Sequence, residues 1–273
     1  PRYESSAASD VYKRQTEMLL VISPAKKLDF SPVEIENNLS KPLFQKDATN
    51  LANVASKLSK SELKQLMSIS DKLADLNFQR FQSFKNNPTE ISTKAAAFAF
   101  NGDTYTGLNI MEFSKLDLDF SQNHLRILSG LYGLLRPLDL IQPYRLEMGS
   151  NLKNDKGHNL YQYWSDIVSN NLNLDLEKSK YNKIINLASV EYSKVINTKI
   201  ISADIINPQF LEEKNNTLKN VSFFSKKARG SMARFILKNK ILNHSEIKDF
   251  NYDRYKFNPS LSSELKPVFT RKS

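Results

Sequence analysis

The chain has 273 residues, 40% of them hydrophobic, which is enough for one large core and leaves a second domain possible. Its 39 lysines and arginines exceed its 29 aspartates and glutamates, and the net charge of +10 favours polyanionic partners, although a lysine-rich composition alone explains part of this excess. The lack of cysteine excludes disulfides, cysteine-ligated iron–sulfur clusters and thiol-based peroxide chemistry.

The first 17 residues, PRYESSAASDVYKRQTE, do not have the pattern of a folded element. They lack the apolar core of a secretory signal, and they resemble translated read-through of a sequencing adapter. We therefore expect residues 1–17 to be a non-native or disordered leader and Met18 to be the native start. The remaining residues, 18–273, contain no linker or repeat, which favours a single domain.

A short apolar run from Met18 to Ser23 predicts a buried strand. It leads directly into a polar loop, Ser23-Pro24-Ala25-Lys26-Lys27. Loops at the carboxyl ends of strands often form the sites of α/β proteins, so Lys26 is a candidate binding residue. An ordinary turn at the edge of a sheet fits the same residues equally well.

Residues 43–58 and 62–85 have the apolar spacing of two or three helices, and Ser59 with Glu62 has the spacing of a capping box. The run from Ala95 to Phe100 fits a strand or a helix, and we predict a strand because the turn signal Asn-Gly-Asp follows it. Asp103 thus lies in a second polar loop after an apolar run. One or two short helices are expected between 108 and 123.

The segment from His124 to Gly149 is the most informative stretch of the sequence. Its leucines recur at three- and four-residue steps, which is typical of one apolar helix face. Gly130 and Gly133 interrupt that face, and glycine disfavours a helix interior. We therefore predict a helix, a tight turn between the two glycines and a short second helix.

Three arginines, Arg126, Arg136 and Arg145, lie in this otherwise apolar segment. Arginines beside exposed backbone N–H groups can hold a phosphate. In the alternative interpretation, the segment is a buried hairpin whose arginines pair with Asp139 and Glu147. The local pattern does not separate these two interpretations.

Further along, residues 161–172 predict an amphipathic helix that places Trp164 in the core. The run from Lys183 to Ala188 predicts a strand, and a short helix over 190–196 then carries Glu191. Other strands are predicted over 200–206, over 209–213 and 218–225 as a hairpin, from 250 through 257, and over 267–271.

Residues 226–240, KKARGSMARFILKNK, predict a helix with one apolar and one basic face. At about 100° per residue, Lys227, Arg234 and Lys238 fall on the basic face. Lys226 and Arg229 lie at the predicted helix start, where cations oppose the helix dipole and a bound phosphate would offset that effect. A solvated basic face without a ligand is the other interpretation.

Several common catalytic patterns are missing from the sequence. It has no Walker loop, no G-x-G-x-x-G and no G-x-S-x-G motif. Its three histidines are scattered, so we expect no metal site and no cofactor. Asp103 and Glu191 are the carboxylates best placed for acid–base chemistry, because both follow probable strands. No apolar run approaches about 18 residues, so we predict no membrane-spanning helix and no membrane partner.

Five motifs carry a resemblance to the YaaA family of bacterial peroxide stress proteins. They are Ser-Pro-Ala-Lys at 23–26, Asn-Gly-Asp-x-Tyr-x-Gly-Leu at 101–108, the run 126–149, Asn-Leu-Ala-Ser-x-Glu-Tyr at 186–192 and Lys-Lys-Ala-Arg-Gly-x-Met-Ala-Arg-Phe at 226–235. The resemblance implies a cytoplasmic α/β protein with a helix-hairpin-helix-like element and a positively charged cleft that binds DNA. It also implies a role in limiting damage from hydrogen peroxide and unincorporated iron, without an established enzymatic activity.

We therefore expect a single α/β domain with a mixed central sheet flanked by helices. The favoured function is binding of double-stranded DNA, or another polyanion, by a monomer. The expected phosphate contacts are Lys26, Arg126, Arg136, Arg145, Lys226, Lys227, Arg229 and Arg234, with Gly130 and Gly133 in the hairpin. The alternative is an enzyme acting on a nucleotide or nucleic-acid phosphate, with Asp103 and Glu191 as acid–base groups in loops at 23–29, 101–107 and 186–192.

Overall fold

A computed structural model describes residues 18–215 and 217–272 of the chain. The predicted leader, residues 1–17, lies outside the described residues. In chain order the strands are β1 Met18–Ile22, β2 Lys27–Leu28, β3 Lys94–Ala95, β4 Phe100–Asn101, β5 Leu125–Ser129, β6 Gly133–Leu135, β7 Leu140–Ile141, β8 Lys183–Leu187, β9 Asp204–Ile206, β10 Gln209–Lys214, β11 Thr217–Lys219, β12 Lys256–Phe257 and β13 Val268–Lys272.

The α-helices are α1 Gln45–Ala55, α2 Lys60–Met67, α3 Asp71–Ser83, α4 Ala96–Ala99, α5 Asp103–Leu108, α6 Lys115–His124, α7 Leu160–Ser179, α8 Val190–Ser193 and α9 Ser222–Lys238. Ser59 and Glu62 form the predicted capping box at the start of α2. Within the described part of the chain, no helix combines the length and the apolar character needed to cross a membrane.

A five-stranded sheet in the order β6–β5–β1–β8–β9 forms the centre of the fold. Strand β1 is parallel to β5 on one side and to β8 on the other, and β9 is parallel to β8. Strand β6 is antiparallel to β5 and makes the sheet mixed. Every residue of β1 is fully buried, because helices cover both faces of the sheet at its centre. The predicted mixed sheet flanked by helices is confirmed.

A second sheet, in the order β11–β10–β13–β12, contains the C-terminal strands. Its core includes Tyr255, whose hydroxyl donates a short hydrogen bond to the buried Glu212. Arg271 also contacts both carboxylate oxygens of Glu212 at 2.8 Å. The predicted hairpin is present in β10 and β11, and Asn215 adopts a left-handed conformation with φ of 51° at its turn.

Helices α5 and α9 cross at two glycines. A Cβ atom on Gly230 of α9 would overlap the carbonyl oxygen of Thr104, and one on Gly107 of α5 would overlap that of Lys227. The two backbones are therefore in direct contact, which no other residue type permits at these positions. This crossing fixes the basic helix against the loop that precedes α5.

The predicted helical hairpin between His124 and Gly149 is wrong. Residues 125–129 and 133–135 are the adjacent strands β5 and β6, and a two-residue strand, β7, follows. The leucine spacing that suggested a helix belongs to a strand that is buried on both faces, where apolar residues need not alternate. Gly133 reverses the chain with a φ of +68°.

Further boundaries differ from the prediction, and the strand predicted from 250 through 257 is formed only by Lys256–Phe257. Ala96–Ala99 forms one helical turn, consistent with the high helix propensity of alanine, where a strand was expected. The strand predicted over 200–206 is formed only by Asp204–Ile206. The strand predicted over 218–225 ends at Lys219, and the basic helix starts earlier, at Ser222. Lys226 and Arg229 therefore lie inside the helix, and the argument that they oppose the dipole at its start does not apply.

The α5–α9 crossing makes Gly230→Ala a severe substitution. We expect it to lower the free energy of unfolding by about 1–3 kcal/mol or more, because the helices must separate to admit the methyl group. Urea-induced unfolding followed by circular dichroism measures this change. Gly102→Ala is the matched control, since its Cβ would lie 3.1 Å from the Cβ of Ala25 and needs a smaller adjustment. Equal destabilisation by the two variants would contradict the proposed role of the crossing.

Candidate functional site

A cavity of about 590 Å³ opens at the carboxyl ends of β1 and β8. Three segments of the chain form most of its wall, and α9 closes it. The lining residues that matter for its chemistry are Ser23, Lys26, Lys27, Asp103, Ser189, Glu191, Tyr192, Lys226 and Arg229. All three polar loops singled out in the sequence therefore meet at one place.

The sheet topology explains why a cavity forms here. The chain fills one side of β1 first, with β5, and then the other side, with β8 and β9. The strand order thus reverses beside β1, and the loops that leave β1 and β8 diverge. Open parallel sheets bind their ligands in the crevice at such a switch point.

Hydrogen bonds between residues that are distant in the sequence hold the loops together at the base of the cavity. The backbone N–H of Ser189 donates to Oγ of Ser23 at 2.8 Å, which joins the ends of β8 and β1. The hydroxyl of Tyr105 in α5 donates to the carbonyl oxygen of Ser23 at 3.2 Å. The close approach of Gly102 to Ala25 adds a third contact between loops. The cavity wall is consequently preorganised.

Positive charge lines one side of the cavity. Lys26 is exposed, and its Nζ lies 3.4 Å from Oε1 of Glu147. Lys226 is also exposed, one turn before the partly buried Arg229 on α9. Among the described residues, no carboxylate lies within ion-pairing distance of Lys226 or Arg229. Burial lowers the pKa of the Arg229 guanidinium, and the charge of an anionic ligand would offset the cost of that desolvation.

Two carboxylates line the same cavity. Oε1 of Glu191 accepts a hydrogen bond from the backbone N–H of Gly149 at 3.2 Å, and the hydroxyl of Tyr161 donates to the Glu191 carbonyl oxygen at 2.7 Å. Asp103 is the first residue of α5, and no described residue donates a hydrogen bond to its carboxylate. The cavity therefore offers hydrogen-bond acceptors as well as cations.

Glu147 connects the cavity to the buried interior. Its Oε1 contacts Arg145 at 3.0 Å as well as Lys26, and nine-tenths of its side chain is buried. Its other oxygen, Oε2, has no hydrogen-bond partner among the described residues. Glu147 thus holds Lys26 at the cavity rim while Arg145 balances part of its charge.

The predicted hairpin arginines do not line this cavity, and Arg145 is connected to it only through Glu147. Nε of the buried Arg126 donates to Asp175 at 2.7 Å, and its Nη1 donates to three backbone carbonyls. Arg136 donates from Nε and Nη2 to the buried carboxylate of Asp139. Pairing with Asp139 and Glu147 is what the buried-hairpin interpretation expected, although the segment is not helical.

Two other predicted contacts on α9 are also ion-paired. Nζ of Lys227 lies 2.9 Å from Asp253, and Nη2 of Arg234 lies 2.5 Å from Glu112. Of the eight predicted phosphate contacts, the cavity brings together three, Lys26, Lys226 and Arg229. DNA contact by the remaining five stays a prediction, and their carboxylate partners leave less charge available for it.

Lys27 and Tyr192 also line the cavity, although neither was predicted as a site residue. Lys27 lies beside Lys26 in the same loop, so the loop composition itself was the available signal. Tyr192 follows Glu191 directly, but a tyrosine in a short helix carries no pattern that separates a cavity wall from a core position. The position of Tyr192 in the cavity wall depends on the pairing of β8 with β1, which the local sequence does not specify.

A larger cavity, of about 810 Å³, lies elsewhere in the molecule. Its wall combines apolar side chains such as Phe30 and Phe84 with charged ones such as Arg80, Glu90 and Lys94. It is lined by neither the first residues after β1 nor those after β8. The smaller cavity is the candidate site because it opens at the carboxyl ends of the parallel strands, where open α/β sheets bind their ligands.

Comparison with known proteins gives a consistent result. The family model described as peroxide stress protein YaaA matches residues 18–261. A UPF0246 protein of Idiomarina loihiensis is 48% identical over 254 residues, which cover 93% of this chain and 98% of the relative. A UPF0246 protein of Colwellia psychrerythraea is 48% identical over 255 residues, covering 93% and 99%.

The tyrosine in the cavity wall makes stability depend on pH. Burial, with Tyr144 and Glu191 nearby, raises the pKa of Tyr192 well above its usual value of about 10. A raised folded-state pKa contributes stability that is complete below the unfolded-state pKa and is lost as the pH rises above it. Between about pH 9 and pH 11, we therefore expect Tyr192→Phe to lose less of its free energy of unfolding than the wild type. Urea unfolding at each pH tests this, and parallel losses would contradict it.

Proposed function

Because the chain belongs to the family of the peroxide stress protein YaaA, we propose that it binds double-stranded DNA and limits the oxidative damage linked to intracellular iron. The family description supports the role in peroxide stress. DNA binding and the iron link are our inferences, and they place the protein in the cytoplasm with the DNA. The cations at the cavity mouth are the proposed phosphate contacts.

One observation carries this proposal. Lys26, Lys226 and Arg229 come from distant parts of the chain and surround one cavity, and no described carboxylate pairs with Lys226 or Arg229. Ion pairs at a protein surface usually contribute little to stability, so folding alone gives little reason for these cations to cluster. Unpaired cations around a concave site attract anions, which favours an anionic ligand. The net charge of +10 acts in the same direction by raising the local concentration of polyanions.

The proposed contacts are to phosphates, so binding should depend weakly on sequence. Phosphate contacts fix the register of a protein on a duplex but do not read the bases. A protective role needs this kind of binding, since oxidative damage is not confined to one sequence. The helix-hairpin-helix geometry implied by the resemblance is not needed, because the cations lie on α9 and in the loop after β1.

An enzyme acting on a nucleotide or nucleic-acid phosphate is the second candidate. It is favoured by the observation that Asp103 and Glu191 line the same cavity as Arg229. A carboxylate beside a cation-bound phosphate can position or deprotonate an attacking water. Release of inorganic phosphate from nucleotides, lost in Asp103→Asn and Glu191→Gln, would establish this activity.

Salt dependence tests the DNA-binding proposal. The logarithm of the binding constant falls linearly with the logarithm of the salt concentration. Loss of one phosphate contact makes this slope less steep by about one unit. We expect this change for Arg229→Gln, measured by fluorescence anisotropy with a labelled duplex between low and moderate salt. Lys226→Gln should act in the same way, because both side chains line the cavity.

Arg234→Gln is the matched control on the same helix. It removes the same charge, but Arg234 is held by Glu112 and by the carbonyl oxygen of Asn109 at 2.9 Å. Its salt slope should change less than that of Arg229→Gln, because the carboxylate of Glu112 already balances the charge of Arg234. An affinity that is indifferent to ionic strength would rule out phosphate binding, and equal slopes for Arg229→Gln and Arg234→Gln would rule out this cavity as its location.

A further inference from the structure

We propose that the cavity binds one nucleotide that carries a phosphomonoester and a base with an exocyclic amino group. The phosphate lies against Lys226 and Arg229, and the amino group faces the carboxylates of Asp103 and Glu191. This inference deepens the proposed function, because it uses the same cations, but it assigns the interior of the cavity a ligand distinct from the duplex at its mouth.

The size of the cavity selects a small ligand. A volume of about 590 Å³ falls within the range of about 300–1,000 Å³ that is typical of small-molecule sites. A duplex cannot enter such a cavity, because the major groove of B-DNA alone is about 12 Å wide. What enters is a free nucleotide or the end of a strand.

The charge of the cavity wall favours a phosphomonoester. Four cationic side chains, Lys26, Lys27, Lys226 and Arg229, and two carboxylates line it, which leaves an excess of two positive charges. A phosphomonoester carries about −1.5 to −2 at neutral pH, whereas an internal phosphodiester carries one negative charge. The monoester therefore matches the excess more closely.

The carboxylates supply selection for the base. A carboxylate is an acceptor only, so it pairs with the amino groups of adenine, cytosine and guanine and repels the O4 carbonyl of thymine. Glu191 is held by Gly149 at 3.2 Å and through its own carbonyl by Tyr161 at 2.7 Å. The second oxygen of Glu191 and both oxygens of Asp103 have no described donor and are available to a ligand.

The exposed carboxylate of Glu191 packs closely against the backbone of Gly149. A Cβ on Gly149 would lie 3.0 Å from Oε1 of Glu191, which is closer than ordinary contacts allow. Gly149 and Tyr161 are therefore positioning residues for the carboxylate. The acceptor is in place before a ligand arrives, which reduces the entropy lost on binding.

Calorimetric titration of the full chain with dAMP, dCMP and dTMP tests the base assignment. We expect dAMP and dCMP to bind roughly tenfold more tightly than dTMP. Glu191→Gln should remove most of this difference, because the glutamine amide can donate to O4 of thymine, and Arg229→Gln should weaken all three nucleotides. Glu177→Gln, an exposed carboxylate on α7, is the matched control and should behave like the wild type. Equal affinities for dAMP and dTMP would overturn the assigned base class.

A second measurement identifies the source of the nucleotide. The affinity for a blunt duplex is compared with and without 5′-phosphates, with C or A as the terminal base. Tighter binding of the phosphorylated duplex identifies a strand end, and nucleotide binding without that effect identifies a free nucleotide. If neither nucleotides nor terminal phosphates bind, the proposal fails, and salt-dependent binding of the unphosphorylated duplex would then leave the DNA-binding function standing by itself.

Discussion

The contact between the backbones of α5 and α9 is the constraint on which the candidate site depends. Gly107 and Gly230 allow the two helices to approach until carbonyl oxygens occupy the space where side chains would begin. Asp103 and Thr104 at the start of α5 are thereby brought beside Lys226 and Arg229 of α9. A side chain at either glycine would separate the acidic and basic walls of the cavity. Two small residues in a helix crossing thus decide the geometry of a polar site.

The central sheet positions the remaining cavity wall, which is formed by the loops after β1 and β8. Strand β1 is fully buried and pairs with β5 and β8 in parallel register, so Ser23 and Ser189 emerge at the same edge. The positions of Lys26 and Glu191 follow from this register, because each lies four residues beyond the end of its strand. A shift of β8 by one residue would turn its side chains to the other face and disrupt the bond between Ser189 and Ser23. The hydrophobic strands and the polar site are therefore specified together.

Much of the fold could be predicted from the sequence, and each wrong prediction has an identifiable physical reason. The buried runs at 18–23 and 183–188, the capping box at Ser59 and the burial of Trp164 follow from local patterns, and all are confirmed. The helix prediction for 125–135 was wrong because apolar and polar residues do not alternate in a strand that is buried on both faces. The spacing of its leucines therefore matched a helical period. Whether an arginine is paired cannot be read from its neighbours in sequence. Arg126 binds Asp175, 49 residues away, while Arg229 has no described carboxylate partner.

The proposals of a duplex at the rim and a nucleotide in the interior both depend on the separation of paired from unpaired cations. Arg136, Lys227 and Arg234 contact carboxylates and stabilise local structure. Lys26 is held at the rim by Glu147, whereas Lys226 and Arg229 face the cavity without such a partner. A duplex that rests on the rim and a nucleotide that enters the interior would use the same cations, so the two must compete. The duplex stays at the rim because it is too wide for the cavity, whereas a single nucleotide is small enough to enter.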